Sequence, residues 1–425
     1  MTAAAVVFAV LVLAFAAWAR GLSRVFVTAP IAFVIAGAVI SAVTPPPTAD
    51  TAVEIKAVAE VTLALILFHD AAQVRPRQID ADRGLVVRLL LVGLPLTVLA
   101  GFVGARVVFP AMPAMVVLLL AAALAPTDAG LGAATVLNPV VPVRVRRVLN
   151  VESGLNDGLI TPVVLFAIAA IAGQEGLRTG MSVVEGLVDL GVGALLGAGV
   201  GAGGGLLLGW SRRHDLSTKS TRSLGVLVLP ILAYCLVALV GGNSFVACFV
   251  AGTAFTGAAS WVDDEESALD RTEGLSELLG FAVWLVFGLA ALPVIREHVG
   301  WHELLFAVLS LTAFRLVPVA ISLIGTGMRA RSVAFIGWFG PRGLASVVFA
   351  LLAVEDLDVD DALRTAIATM AMTVLLSVIL HGLTADVFAA RYGAWIDRTR
   401  PPAETAAATE PRPRRSLVPW HHPRS

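Results

Sequence analysis

Residues 126–157 contain Pro126-Thr127-Asp128-Ala129-Gly130, then Asn138-Pro139, then Arg144, Arg146 and Arg147, and finally Glu152-Ser153-Gly154-Leu155-Asn156-Asp157. Apolar runs flank this stretch, Met112 to Ala125 before it and Leu159 to Ala172 after it. Three carboxylates therefore fall in segments suited to lipid. An ionisable group at membrane depth is costly and normally faces a partner, a cavity or a transported ion. Pro126 and Gly130 also interrupt the first run: proline removes a helix hydrogen bond and glycine relaxes the backbone. Such a break exposes carbonyls and helix ends at mid-membrane.

Composition sets the frame. Of 425 residues, 58% are hydrophobic and 14% charged, where soluble domains carry about 25% charged residues. That is the composition of a membrane protein. The net charge of −1 argues against a nucleic-acid partner. Cys235 and Cys248 both lie in apolar runs and read as small buried hydrophobes, not as a disulfide or a metal site. The start, Met1-Thr2-Ala3-Ala4, lacks the basic region of a cleaved signal peptide, so the first apolar run is expected to stay as a span.

A span needs about 20 mostly apolar residues, which predicts an all-α polytopic membrane protein of about thirteen transmembrane helices. They lie near 3–19, 25–43, 52–72, 84–108, 112–137, 147–172, 183–210, 224–241, 243–259, 273–294, 301–325, 332–354 and 362–388. Cytoplasmic loops are enriched in Lys and Arg. One alternating set carries Arg20 and Arg24; Arg75, Arg77 and Arg83; Arg144, Arg146 and Arg147; Arg212, Arg213, Lys219 and Arg222; Arg329 and Arg331; and then Arg391, Arg398 and Arg400. The other set holds Pro45 to Asp50, Gly173 to Arg178, Gly241 to Asn243 and the acidic Glu355 to Asp361. Asp263-Asp264-Glu265-Glu266 falls on the basic side and is the weak member. The expected orientation is N-terminus outside and C-terminus cytoplasmic, in the plasma (inner) membrane.

The twelfth span is broken as well, at Gly337-Trp338-Phe339-Gly340-Pro341-Arg342-Gly343. With the seventh span as linker, the fifth and twelfth occupy equivalent places in two inverted repeats. A matched pair of interrupted spans marks a transporter site. The membrane domain is read as 1–392. Residues 393–425, rich in Pro, Ala, Glu and Arg beyond 398, read as a short disordered cytoplasmic tail.

Asp157 lies a third to half way across its span at about 1.5 Å per residue. Desolvation favours its protonated form and a bound cation its ionised form, so the two ligands compete. Ser153, one turn earlier on the same face, offers a hydroxyl oxygen suited to a hard cation. Thr127 offers a hydroxyl and a freed carbonyl. Asp128 can ligate directly, ligate through water or cap a half-helix. Asp70 reads as a ligand, an access-path residue or a surface residue near Arg75, and His69 as interfacial. Glu152 faces elsewhere and needs a cation if buried. The candidates are Arg315 and Arg342, and Glu152–Arg315 is favoured as a structural ion pair.

Thr127-Asp128, Glu152 to Asp157 and Gly340-Pro341-Arg342-Gly343 together resemble the signature segments of the monovalent cation:proton antiporter family, in its NhaP-type branch related to animal sodium/proton exchangers. The resemblance implies crossed, unwound fifth and twelfth helices, exchange of Na⁺ (or Li⁺ or K⁺) for H⁺, and a homodimer. It assigns ion and proton binding to Asp157, with Asn156 as its neighbour, Ser153 and Thr127 as further oxygens, Asp128 as the acid at the crossing, and Asp70 as an acid in the third span. It makes Glu152 and Arg315 a stabilising pair. The sequence departs from the family pattern at Ala129 (usually proline) and Gly154 (usually leucine). At Asn138 some relatives have an acid, which leaves the partner of Arg342 open.

The expected function is therefore secondary antiport, with Asp157 alternately carrying a monovalent cation, held with Ser153 and Thr127, and a proton. Because Asn156 cannot ionise, electroneutral exchange is expected. The alternative is a cation channel, which would need a repeated filter absent from this sequence. An intramembrane hydrolase using Asp128 and Asp157 has no further catalytic motif behind it. No enzyme activity and no cofactor are expected. The partners are cations, protons, lipid and a second copy of the chain.

Overall fold

The computed structural model describes residues 2–24, 27–43, 49–74, 82–128, 130–131, 138–174, 183–263 and 265–405. Among them all regular structure is helical. The helices are α1 (Thr2–Arg24), α2 (Ala29–Val43), α3 (Ala49–Gln73), α4 (Arg83–Val108), α5 (Ala114–Ala123), α6 (Val143–Gln174) and α7 (Val183–Arg213). There follow α8 (Lys219–Val240), α9 (Ser244–Ala258), α10 (Asp270–His298), α11 (Trp301–Ser322), α12 (Ala330–Trp338), α13 (Leu344–Asp356), α14 (Asp361–Thr399) and α15 (Pro402–Thr405). Among the described residues eight helices are long and apolar enough to cross a membrane, and α2, α5 and α9 are shorter apolar helices.

The helices sort into two bundles. In one, α7, α8 and α9 pack together, α3 takes α8, α9 and α10, and α10 takes α2, with α1 against α2. Glycines permit the closest approaches. A Cβ at Gly193, Gly197 or Gly201 of α7 would strike backbone at Asn243, Ala247 or Ala251, the small-residue packing that membrane helices use. In the other bundle, α4 packs with α5 and α11, α5 with α6 and α14, and α14 with α11, α12 and α13. The seam places α3, α9 and α10 against α6, α13 and α14.

Both expected breaks are present. α5 ends at Ala123 and the chain runs unwound through Asp128, while residues 132–137, the rest of the expected fifth span, lie outside the described residues. Residues 339–343 separate α12 from α13. A third interruption was not foreseen: α11 is broken at Thr312, between Leu311 and Ala313.

The ends differ from expectation in one respect. The boundary read after Tyr392 falls inside α14, which runs on to Thr399. Arg400, in the left-handed region at φ 39°, turns the chain so that α15 folds back. Buried Glu404 accepts from the Arg329 amide at 2.8 Å and the Ser332 hydroxyl at 2.7 Å, and the Ala403 carbonyl accepts from Arg144. Helical residues at the junction have partners that a composition argument cannot see. Residues 406–425 lie outside the described residues.

The acidic loop that weakened the alternation of charge is partly neutralised. Arg222 donates to Glu265 at 3.0 and 2.8 Å in a buried pair. In the second bundle, Asp82, just before α4, takes Arg144 at 2.5 Å and also Arg147.

Candidate ion site at the helix crossing

The two unwound segments cap each other. The Asp128 amide donates to the Pro341 carbonyl at 2.8 Å. One carboxylate oxygen of Asp128 accepts from the Leu344 amide, in the first turn of α13, at 2.9 Å; the other accepts from the Gly130 amide at 2.7 Å. In return Ser346 donates to the Ala123 carbonyl at 2.6 Å, and Arg342 donates to the carbonyls of Ala125 at 2.7 Å and Pro126 at 3.2 Å. A carboxylate thus meets the positive end of α13 and a guanidinium the negative end of α5, the favourable sign at each helix terminus. Gly343 is required here, because a Cβ would run into the Asp128 carboxylate. Gly340 is equally confined: its Cβ would lie 2.6 Å from Arg315 Nε and 2.8 Å from the Thr127 methyl.

Arg342 needs a correction. Grouped by sequence with the ion pair, it turns instead to backbone oxygens, reaching the Ser310 carbonyl at 3.2 Å as well. One fully buried guanidinium therefore serves carbonyls freed at two breaks, in α5 and in α11. Asn138, at the position where an acid was considered as its partner, accepts from the Val140 amide at 3.2 Å.

Glu152 is fully buried and takes Arg315 bidentately at 3.0 and 2.9 Å. Thr127 joins the same cluster. Its hydroxyl lies 2.9 Å from Ser153 Oγ and 3.3 Å from Glu152 Oε2, and it accepts from Asn156 Nδ2 at 2.7 Å. Asn156 Nδ2 also donates to Glu152 Oε1 at 3.3 Å. A carboxylate paired with arginine only accepts, so the amide nitrogen must face Glu152 and the carbonyl oxygen must face away. That oxygen, Asn156 Oδ1, is buried with no hydrogen-bond partner among the described residues. An unsatisfied buried acceptor costs about 1–3 kcal/mol unless an ion or water fills the place.

Asp157 follows at the middle of α6, buried to 6% exposure. Its carbonyl accepts from the Thr161 hydroxyl at 2.7 Å. Asp70 is buried too, as is His69 beside it, so neither is a surface or interfacial residue. Gln73 Nε2 lies 2.5 Å from His69 Nε2. α3, which carries both residues, packs against α6 and α13. The structure thus brings Thr127, Ser153, Asn156, Glu152 and Arg315 into one hydrogen-bonded cluster. It sets Asp128 at the crossing and puts Asp157 and Asp70 on helices that meet at the seam.

Two interrupted helices crossing beside buried acids, on the seam between helix bundles, define a polytopic membrane transporter core. A family profile described as "Sodium/hydrogen exchanger, transmembrane" matches residues 9–391, and the chain belongs to that family. It is 26% identical over 346 residues to a Na⁺/H⁺ antiporter of Schizosaccharomyces pombe, covering 72% of this chain and 70% of that protein. It is 25% identical over 229 residues to a probable Na⁺/H⁺ antiporter of the same yeast, covering 52% of this chain and 30% of that protein. In fold it is similar to the sodium proton antiporter MjNhaP1 from Methanocaldococcus jannaschii at pH 8, with a TM-score of 0.71, 21% identity, and coverage of 92% of this chain and 99% of that one.

Proposed function

We propose that this chain exchanges a monovalent cation, Na⁺ foremost, for H⁺, and that Asp157 carries each in turn. The support for the reading is that buried Asp157 directly follows Asn156 in α6, and so adjoins in the chain the oxygen cluster of Thr127, Ser153 and Asn156 held by the helix crossing. Ionised Asp157 takes a cation together with oxygens of Ser153, Thr127 and Asn156; protonation displaces it. Asp128 is engaged in capping α13, so we assign it to holding the crossing and not to the ion. Asp70, on the seam, belongs to the same site or to its access path. The family is one of exchangers, and a channel is not favoured.

The exchange is electroneutral, because one carboxylate in the Asn156-Asp157 pair exchanges one charge. The chain sits in the plasma (inner) membrane with its N-terminus outside. Support comes from the basic loops and from the C-terminal residues they hold: Arg144 donates to the Ala403 carbonyl, the Arg329 amide donates to Glu404, and Asp82 binds Arg144 and Arg147. It forms a homodimer, for which the exposed apolar residues of α1, Leu13 and Trp18 among them, offer surface.

The test is dequenching of a pH-sensitive dye in proteoliposomes on adding Na⁺, K⁺ or Li⁺. Wild-type protein gives saturable dequenching and Asp157→Asn gives none. Exchange retained in Asp157→Asn refutes the site; a rate that follows an imposed membrane potential refutes electroneutrality.

A further inference from the structure

α14 directs Ser377, His381 and Thr384 at the break between α12 and α13. Ser377 Oγ accepts from the Arg342 amide at 2.7 Å. His381 Nε2 lies 2.8 Å from the Trp338 carbonyl oxygen, at the last residue of α12. Thr384 accepts from the Trp338 indole N–H at 3.1 Å, and the indole stacks on the imidazole with ring centroids 5.3 Å apart. Both ring nitrogens face backbone carbonyls: Nε2 that of Trp338, and Nδ1 that of Ser377 at 2.9 Å, one helical turn back, with the Ser377 hydroxyl 3.3 Å from Nδ1. A carbonyl only accepts, so the neutral ring donates to Trp338 in the tautomer with its proton on Nε2 and to Ser377 in the other. Ser377 and His381 are both buried. Together they hold the start of the break and a point within it, the last carbonyl of α12 and the amide of Arg342.

What they hold bears on the site. Residues 340–343 place the Pro341 carbonyl for the Asp128 amide, and they place the Arg342 guanidinium for the carbonyls of Ala125 and Pro126. Those two carbonyls immediately precede Thr127, whose hydroxyl anchors Ser153 and Asn156. Polar contacts therefore run from His381 through Ser377 and Arg342 to the backbone beside Thr127. We infer that His381, acting with Ser377, is a positioning residue for cation binding: it fixes the unwound segment that sets Thr127, without touching the ion. The inference rests on the site reading above.

The test uses the full chain in proteoliposomes. His381→Leu keeps bulk but cannot donate; it is expected to raise the apparent KM for Na⁺ about fivefold, the scale of one buried hydrogen bond, with the maximal rate within about twofold. His381→Gln, whose amide can donate to Trp338 and accept from Ser377, restores a wild-type KM. Ser377→Ala shifts KM in the same direction as His381→Leu. A wild-type KM in both His381→Leu and Ser377→Ala, with only the melting temperature lowered, overturns the inference. So does a His381→Gln protein as impaired as His381→Leu. If His381→Leu fails to accumulate, an unchanged KM in Ser377→Ala overturns it alone. Asp157→Asn measured in parallel separates the readings: retained exchange there sinks the site itself, whereas lost exchange with an unchanged KM in the clamp variants sinks only the clamp.

Discussion

At the scale of residues, the buried Glu152–Arg315 pair and the amide of Asn156 decide how the cluster is wired. Removing one partner of a buried pair leaves an uncompensated charge and costs about 3–5 kcal/mol, whereas replacing both with apolar residues of similar volume is often nearly neutral. Glu152→Gln is therefore expected to lower the melting temperature sharply in detergent, and Glu152→Leu with Arg315→Met to recover much of it. If the double variant melts no higher than the single one, the pair is not held by charge balance. The competition proposed for Asp157 has a direction as well. Acidification protonates the carboxylate, so the apparent KM for Na⁺ rises as pH falls, by about tenfold per pH unit at most if one proton displaces one cation. Initial rates against Na⁺ at several pH values check this, and a KM independent of pH contradicts the shared carboxylate.

At the scale of elements, two half-helices end in mid-protein and each supplies the cap of the other. Asp128 caps α13 across the crossing, which is why the residue facing it must be Gly343. Gly343→Ala forces the carboxylate off the Leu344 amide, and loss of a cap costs about 1 kcal/mol before any collision is counted. Its expected outcome is a lower melting temperature together with lost exchange. Asp128→Asn keeps one acceptor oxygen for the Leu344 amide but turns its NH2 toward the Gly130 amide; it is expected to keep part of the stability, while Asp128→Ala loses it. Equal stability in Asp128→Asn and Asp128→Ala, measured by thermal unfolding, removes the capping role. The break in α11 at Thr312 extends the same logic, because Arg342 reaches the Ser310 carbonyl it frees.

At the scale of the molecule, the exchange proposed above would have the seam between the bundles open alternately to each side. Glu152–Arg315, Asp82 with Arg144 and Arg147, and Arg222–Glu265 each stay within one bundle, but Lys56–Asp356 joins α3 to α13 across the seam at 2.5 Å. Asp356 also lines a cavity of about 620 Å³ with Pro162, Asp189 and Tyr234. Both partners are partly exposed, so the pair is worth about 0–1 kcal/mol. That small term still shifts a balanced equilibrium severalfold. Lys56→Gln is expected to leave the melting temperature within a degree or two and to raise labelling of a cysteine placed at Ala169 by an impermeant thiol reagent. The exchanged pair Lys56→Asp with Asp356→Lys should restore the wild-type level. Unchanged labelling in Lys56→Gln would show that the pair does not latch the seam.

The sequence by itself determined the apolar helices, the two breaks and the buried acids. Each is a local property: a long apolar run has few ways to satisfy its backbone in lipid, and proline with glycine interrupts it wherever it falls. Glu152–Arg315 was also readable, since two opposite charges deep in apolar runs have few other partners. What only the tertiary structure decided was the use of polar groups whose partners are backbone atoms. Arg342 turned to carbonyls, Asp128 to the end of another helix, Glu404 to the start of α12, and His381 to the rim of the break. An unsatisfied carbonyl or amide exists only once a helix has ended, and which side chain reaches it depends on how helices far apart in sequence cross.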